Sequence, residues 1–246
     1  AANLVFLTAV YFLVLAGAQI PIRVLLDRFG PRRVQSVLLV VAAGGAALFA
    51  ASTGLLELLI ARAMIGIGVA AALMAGLKAI VTWFPRERVA LINGYMIMLG
   101  ALGAVTATAP AEWLMGYSGW RGLFELSAAA TLAAALLIFL AVPDKAQLVL
   151  PQRTSLKLGA IYRDPRFWRI APLSASCIGS AWSLQGLWAA PWLADVEGFN
   201  REALIAQLFL MAIAVCLGAL LLGTIADRLR RRGIGTETLF AAVVAL

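Results

Sequence analysis

Arg23-Val-Leu-Leu-Asp27-Arg28-Phe-Gly30-Pro31-Arg32-Arg33 and Gly223-Thr-Ile-Ala-Asp227-Arg228-Leu-Arg230-Arg231-Arg232-Gly233 are two versions of one short basic loop, with Asp227 following Asp27 by 200 residues. An Asp-Arg pair at the ends of two corresponding apolar runs rarely arises by chance, and repetition of this kind marks membrane proteins built from related halves. The surrounding composition agrees, because 63% of the 246 residues are hydrophobic, 13% are charged and histidine is absent. A soluble domain carries roughly a quarter charged residues, so water is not the main solvent of this chain.

The apolar residues fall in blocks of about 20, the length at which a helix rising ~1.5 Å per residue crosses a ~30 Å hydrocarbon layer. Spans are read at about 4–22, 34–52, 56–83, 88–112, 122–142, 168–193 and 203–223, with a last one opening near 235. The chain is thus expected to begin and end inside spans, and the parent protein to be longer. The connections holding Arg23, Arg28, Arg32, Arg33; Arg86, Arg88; Lys145, Arg153, Lys157, Arg163, Arg166, Arg169; and Arg228, Arg230, Arg231, Arg232 carry 16 of the 20 basic residues. These are alternate connections. The opposite side keeps Arg121 and Arg201 beside Glu112, Glu125, Asp195, Glu197 and Glu202. This is the positive-inside asymmetry of an inner (plasma) membrane protein, with the basic loops cytoplasmic. It accounts for the net charge of +8 by topology and leaves no need for a nucleic-acid partner; anionic membrane lipids are the expected contacts. Trp83, Trp113, Trp120 and Trp168 fall at span ends, where an indole buries its ring and keeps its N–H wet. The long connection after Pro143 holds an amphipathic stretch from Ser155 to Tyr162 that suits a headgroup surface.

With both loops and the spans in view, the sequence resembles the major facilitator superfamily, whose loop between helices 2 and 3 reads Gly-x-x-x-Asp-Arg-x-Gly-Arg-Arg and recurs between helices 8 and 9. The resemblance covers the whole chain. It implies an all-α integral membrane protein with two pseudo-symmetric six-helix bundles, of which about seven and a half spans are present. Residues 1–142 would be helices 2–6 of the first bundle, 143–167 a cytoplasmic linker, and 168–246 helices 7–9 of the second. Arg62 with Gly66 and Gly68 resembles the family's Arg-x-x-x-Gly-x-Gly segment. The antiporter signature of the next helix is not met, since Gly100-Ala-Leu-Gly103 lacks an adjacent proline and Pro110 comes later.

A gating loop is expected at Arg23, Asp27, Arg28, Arg32, Asp227 and Arg228. A carboxylate at a helix end accepts hydrogen bonds from backbone N–H groups of a facing helix, and such contacts bias a two-state equilibrium. The alternative is that these arginines orient the helices and bind lipid phosphate. Arg23 departs from the family's glycine and is one turn before Asp27, so it is expected to pair with that carboxylate and favour the inward-open state.

Arg62 and Lys78 are the charges embedded in a span, where a charge costs a few kcal/mol. They lie about 160° apart on a straight helix, so one cavity does not receive both. Lys78 is near enough to the inner surface to snorkel, and Arg62 is taken as the cavity charge. In the sixth span Ser174, Gln185 and Trp192 share one stripe with Trp182 and Trp188 about 60° to either side, a surface for an organic solute. Asn93 and Tyr95 are further cavity candidates, and packing is the competing role for all of them. Cys177 and Cys216 suggest neither a disulfide nor a metal site, and no cofactor is read.

The expected function is secondary active transport of a small organic solute, anionic if Arg62 is its partner, by alternating access and by a monomer, with proton or ion coupling left open. No embedded acid, Glu237 included, marks that coupling. A transporter-fold sensor without net transport, or multidrug efflux, is the alternative; an enzyme is disfavoured by the lack of any catalytic constellation.

Overall fold

The computed structural model describes residues 2–143 and 162–231, so most of the long connection and the span opening near 235 lie outside the described residues. Every regular element in these stretches is helical: α1 Ala2–Phe29, α2 Pro31–Ala51, α3 Leu55–Val69, α4 Ala72–Trp83, α5 Arg86–Thr106, α6 Ala109–Ala141, α7 Pro165–Ser183, α8 Ala189–Asp195 and α9 Arg201–Arg231. Among the described residues, five helical stretches are long and apolar enough to cross a membrane: Val5–Phe29, Pro31–Ala51, Leu55–Trp83, Ala109–Ala141 and Arg201–Gly218. Large side chains such as Leu13, Leu56 and Leu140 are more than two-thirds exposed, as lipid-facing positions are.

The loop that decides the fold is built on Gly30. It takes φ 80° and ψ 161°, a backbone region open essentially to glycine alone, and its N–H closes α1 by donating to the Leu26 carbonyl at 3.1 Å. Pro31 then opens α2 at a position where no N–H is needed and φ is already helical.

α2 is the centre of the first group of helices. Its small residues Ala42, Gly45 and Ala46 are buried, and they let α3 approach closely. A β-carbon on Gly45 would meet the Ala61 carbonyl at 3.0 Å, one on Gly68 the Ala42 nitrogen at 2.5 Å, and one on Gly66 the Tyr11 carbonyl of α1 at 2.9 Å. These glycines therefore weld α1, α2 and α3 through their backbones. On its other side α2 runs antiparallel to α6. Near one end Arg32 Nε donates to the Phe139 carbonyl at 2.9 Å, and at the other Arg121 Nη2 donates to the Ser52 carbonyl at 3.2 Å.

The stretch read as a span over 56–83 is two helices. Ala70 and Ala71 interrupt it with a tightened turn in which Ala70 N–H donates to Ile67 at 3.2 Å. The span read over 88–112 is likewise interrupted, at Ala107 and Thr108. There Thr106 Oγ1 donates to Gly103 and Thr108 Oγ1 to Val105, and Pro110 restarts the helix. Within the α6 run Gly119, at φ 66° and ψ −177°, breaks the helix where the sequence places an outer connection.

The chain divides into two compact units, one of Ala1–Lys145 with Ile213–Leu246 and one of Ala146–Ala212. In the first, the latter part of α9 meets α5: Cys216 is buried, its Sγ 3.9 Å from the Met98 carbonyl. In the second, α7 and α8 are joined by a π-helical turn, Leu184–Trp188, marked by the Ala189 N–H reaching back five residues to Leu184.

Candidate functional site

Arg62 sits on α3 among aromatic rings from two other helices. Its guanidinium carbon is 4.8 Å from the Phe49 ring centre on α2 and 5.7 Å from that of Phe124 on α6, and those two rings lie 4.2 Å apart. Tyr11 of α1 is within electrostatic range of the guanidinium. A cation over a desolvated ring gains about 1–2 kcal/mol, which offsets only part of the cost of a charge in the membrane. The Arg62 Nε is buried and has no hydrogen-bond partner among the described residues. Tyr11, Phe49 and Phe124 were not singled out from the sequence, because nothing in their spacing ties three different spans to one arginine.

Asn93 on α5 also holds a buried side-chain oxygen, Oδ1, with no partner among the described residues, whereas Tyr95 is half exposed. Trp182, Gln185 and Trp188 are exposed within the second unit, Gln185 and Trp188 on the π turn itself. That turn corrects the expected stripe. A π turn holds one residue more than an α turn, so positions beyond it are set back by about 100° and Trp192 leaves the line drawn through Ser174 on a straight helix.

At the other end of the first unit, Lys78 reaches the exposed end of α1. Its Nζ donates to Asp27 Oδ1 at 2.7 Å and to the Leu26 carbonyl at 2.8 Å, tying α4 to the last turn of α1. Beneath it Ile22, Leu26, Val34, Leu38, Ala71 and Ala75 form an apolar cluster. Arg23, Arg28 and Arg33 are exposed, Arg28 lying 5.2 Å from the Phe29 ring. Arg32 instead covers the Phe139 ring at 4.9 Å, so this member of the loop staples α2 to the end of α6. In the second copy Arg228 is exposed on α9, and the side chain of Asp227 lies outside the described residues.

The family model described as Major Facilitator Superfamily matches residues 2–246. The chain belongs to the major facilitator superfamily. It is therefore a multi-pass membrane protein of a transporter family, not an enzyme. Its curated relatives include the hexuronate transporter of Escherichia coli (strain K12), 28% identical over 198 residues that make up 73% of this chain and 45% of the relative. The galacturonate transporter of Dickeya chrysanthemi is 28% identical over 200 residues, 72% of this chain and 58% of the relative. A probable sulfoacetate transporter of Cupriavidus necator is 25% identical over 223 residues, 84% and 52% respectively. This superfamily chain spans about half the length of the curated relatives it matches.

Proposed function

We propose that the chain is the larger part of a secondary transporter that carries a small organic anion across the inner membrane by alternating access, with the basic loops on the cytoplasmic side. The two bundles would be residues 1–142 and 168–246, joined by the linker 143–167. The observation that carries this reading is Arg62, a guanidinium packed against the Phe49 and Phe124 ring pair with a buried Nε that no described residue satisfies. A carboxylate or sulfonate is the complement of such a fork, because the guanidinium offers two parallel N–H donors to its paired oxygens. Two relatives are named for uronates and one for sulfoacetate, which supports an acidic solute. Asn93 and Tyr95 on α5, and Gln185 with the indoles of Trp182 and Trp188, are the groups available for a solute's hydroxyls and apolar faces. Asp27, Arg28 and Arg228 would act at the gate.

The test is counterflow of radiolabelled galacturonate and sulfoacetate by the full-length parent protein in proteoliposomes, wild type against Arg62→Ala. Uptake that is lost in the variant while its melting temperature holds supports the reading. Equal uptake by both removes Arg62 from the site, and binding without flux in the wild type identifies a sensor.

A further inference from the structure

We infer that the opening of α7 is a binding surface for an anionic phospholipid, its phosphate held by Arg163, Arg166 and Arg169 and an acyl chain laid against Tyr162, Phe167 and Trp168. The three rings pack on one another. Their centres lie 5.4 Å apart between Tyr162 and Phe167, 5.4 Å between Phe167 and Trp168, and 6.4 Å between Tyr162 and Trp168. Trp168 Nε1 donates to the Tyr162 carbonyl at 2.8 Å. An indole at a bilayer surface ordinarily keeps that N–H for water or headgroup oxygens. Here the bond is internal, so the ring block is assembled before any lipid arrives and loses little freedom on contact. Tyr162 and Trp168 nevertheless remain 53% and 57% exposed, which leaves the block an apolar surface rather than part of a core.

Each ring has an arginine beside it in the chain: Tyr162 is followed by Arg163, Phe167 preceded by Arg166, and Trp168 followed by Arg169. All three arginines are exposed, and no described residue takes their side chains in a hydrogen bond or ion pair. The one carboxylate among them is engaged, since Asp164 Oδ1 accepts from the Arg166 N–H at 2.9 Å and caps the helix. The Phe167 N–H is also taken, by the Asp164 carbonyl at 3.1 Å, so an anion here must be held by guanidinium forks and not by the helix end. A soluble anion has no use for the rings, and a zwitterionic lipid leaves the excess positive charge unanswered. A phospholipid with net negative charge fits both halves of the surface. The surface lies wholly within the second compact unit, apart from Arg62.

The test places the full-length parent protein in phosphatidylcholine nanodiscs with a varied fraction of phosphatidylglycerol brominated near the headgroup end of one acyl chain. Quenching of Trp168 is read as wild type less Trp168→Phe. Half-maximal quenching is expected at about a tenfold lower fraction of brominated phosphatidylglycerol than of brominated phosphatidylcholine, because each guanidinium adds to the attraction of an anionic headgroup. Arg163→Gln, Arg166→Gln and Arg169→Gln combined should erase that preference and keep quenching by phosphatidylcholine, which shows the variant folded with Trp168 still at lipid. Arg166→Gln alone, about threefold weaker in preference, serves if the combined variant aggregates. Arg23→Gln with Arg28→Gln, which strips charge from another exposed turn, should leave the preference intact. Native mass spectrometry needs no tryptophan variant and counts the same event, a phosphatidylglycerol retained by the wild type and lost from the combined variant. Equal quenching by the two lipids in the wild type, or a preference that survives the arginine changes at α7, overturns the inference. So does a preference that falls equally on changing Arg23 and Arg28, which marks diffuse attraction, or one reversed by glycerol phosphate, which marks a site for a soluble anion.

Discussion

Gly68 and Ala42 stand so close that a β-carbon added to Gly68 would come within 2.5 Å of the Ala42 amide nitrogen. The obstacle is backbone, which cannot swing aside as a long side chain would. Gly68→Ala is therefore expected to destabilise the first unit by about 1–3 kcal/mol, the usual range for overpacking. Thermal denaturation in detergent checks it, with Gly103→Ala as the control, since no atom lies within 4 Å of a β-carbon there and the substitution should be neutral or slightly stabilising.

Gly30 and Gly119 present a different constraint, one of conformation. Both combine positive φ with ψ near 180°, at 80° and 161° and at 66° and −177°. Alanine at either position should cost about 1–3 kcal/mol. Asparagine should not relieve the loss, because it tolerates the left-handed helical region and not this one. Melting curves of the two alanine and two asparagine variants decide the matter.

Arg32 and Arg121 clasp α2 to α6 from opposite ends. Arg32→Met removes the hydrogen bond to Phe139 and its ring contact among other interactions, and Arg121→Met the hydrogen bond to Ser52 and the contact with Trp120. Each should lower stability by roughly 1 kcal/mol, and the effects should add because the sites share no partner. A double variant that melts no lower than the singles would argue against two independent clasps.

Gln185 is exposed on the π turn and packs little, so its replacement should leave folding unchanged. If it orients solute hydroxyls, Gln185→Leu weakens galacturonate binding by about fivefold, the size of one neutral hydrogen bond. Scintillation proximity binding measures this, and sulfoacetate, which carries fewer groups for an amide to hold, should be affected less.

Phe49 links the candidate site to stability. It is 8% exposed and touches both Phe124 and the Arg62 guanidinium. Phe49→Leu should cost about 1–2 kcal/mol and weaken anion binding less than Arg62→Ala does, since the charge remains but its aromatic support is halved. Parallel melting and binding measurements separate the two effects.

The spans were legible because a block of about 20 apolar residues has one economical use in a bilayer, and the Asp-Arg loops were legible because they recur. Interruptions were not. Ala70 and Ala71 are good helix formers, and only packing against α2 and α1 shows why the helix tightens there. The π turn escaped for a similar reason: an added residue leaves no mark in composition, yet it rotates everything after it. Arg62 stands out in the sequence by its depth in a span, whereas its aromatic neighbours come from spans that only the fold brings together. Lys78 shows the limit of reading charge by depth alone, since its partner is on a helix more than 50 residues away and no spacing rule connects them.

Clasped near both ends to α6 and welded by glycine to α3, α2 behaves as the spine of a stiff beam about 30 Å long. A beam of this kind tilts as one piece. A push delivered at the Gly30 turn would reappear at the level of Ser52 without being absorbed along the way, so leverage rather than local softening would carry a signal from one face of the membrane to the other.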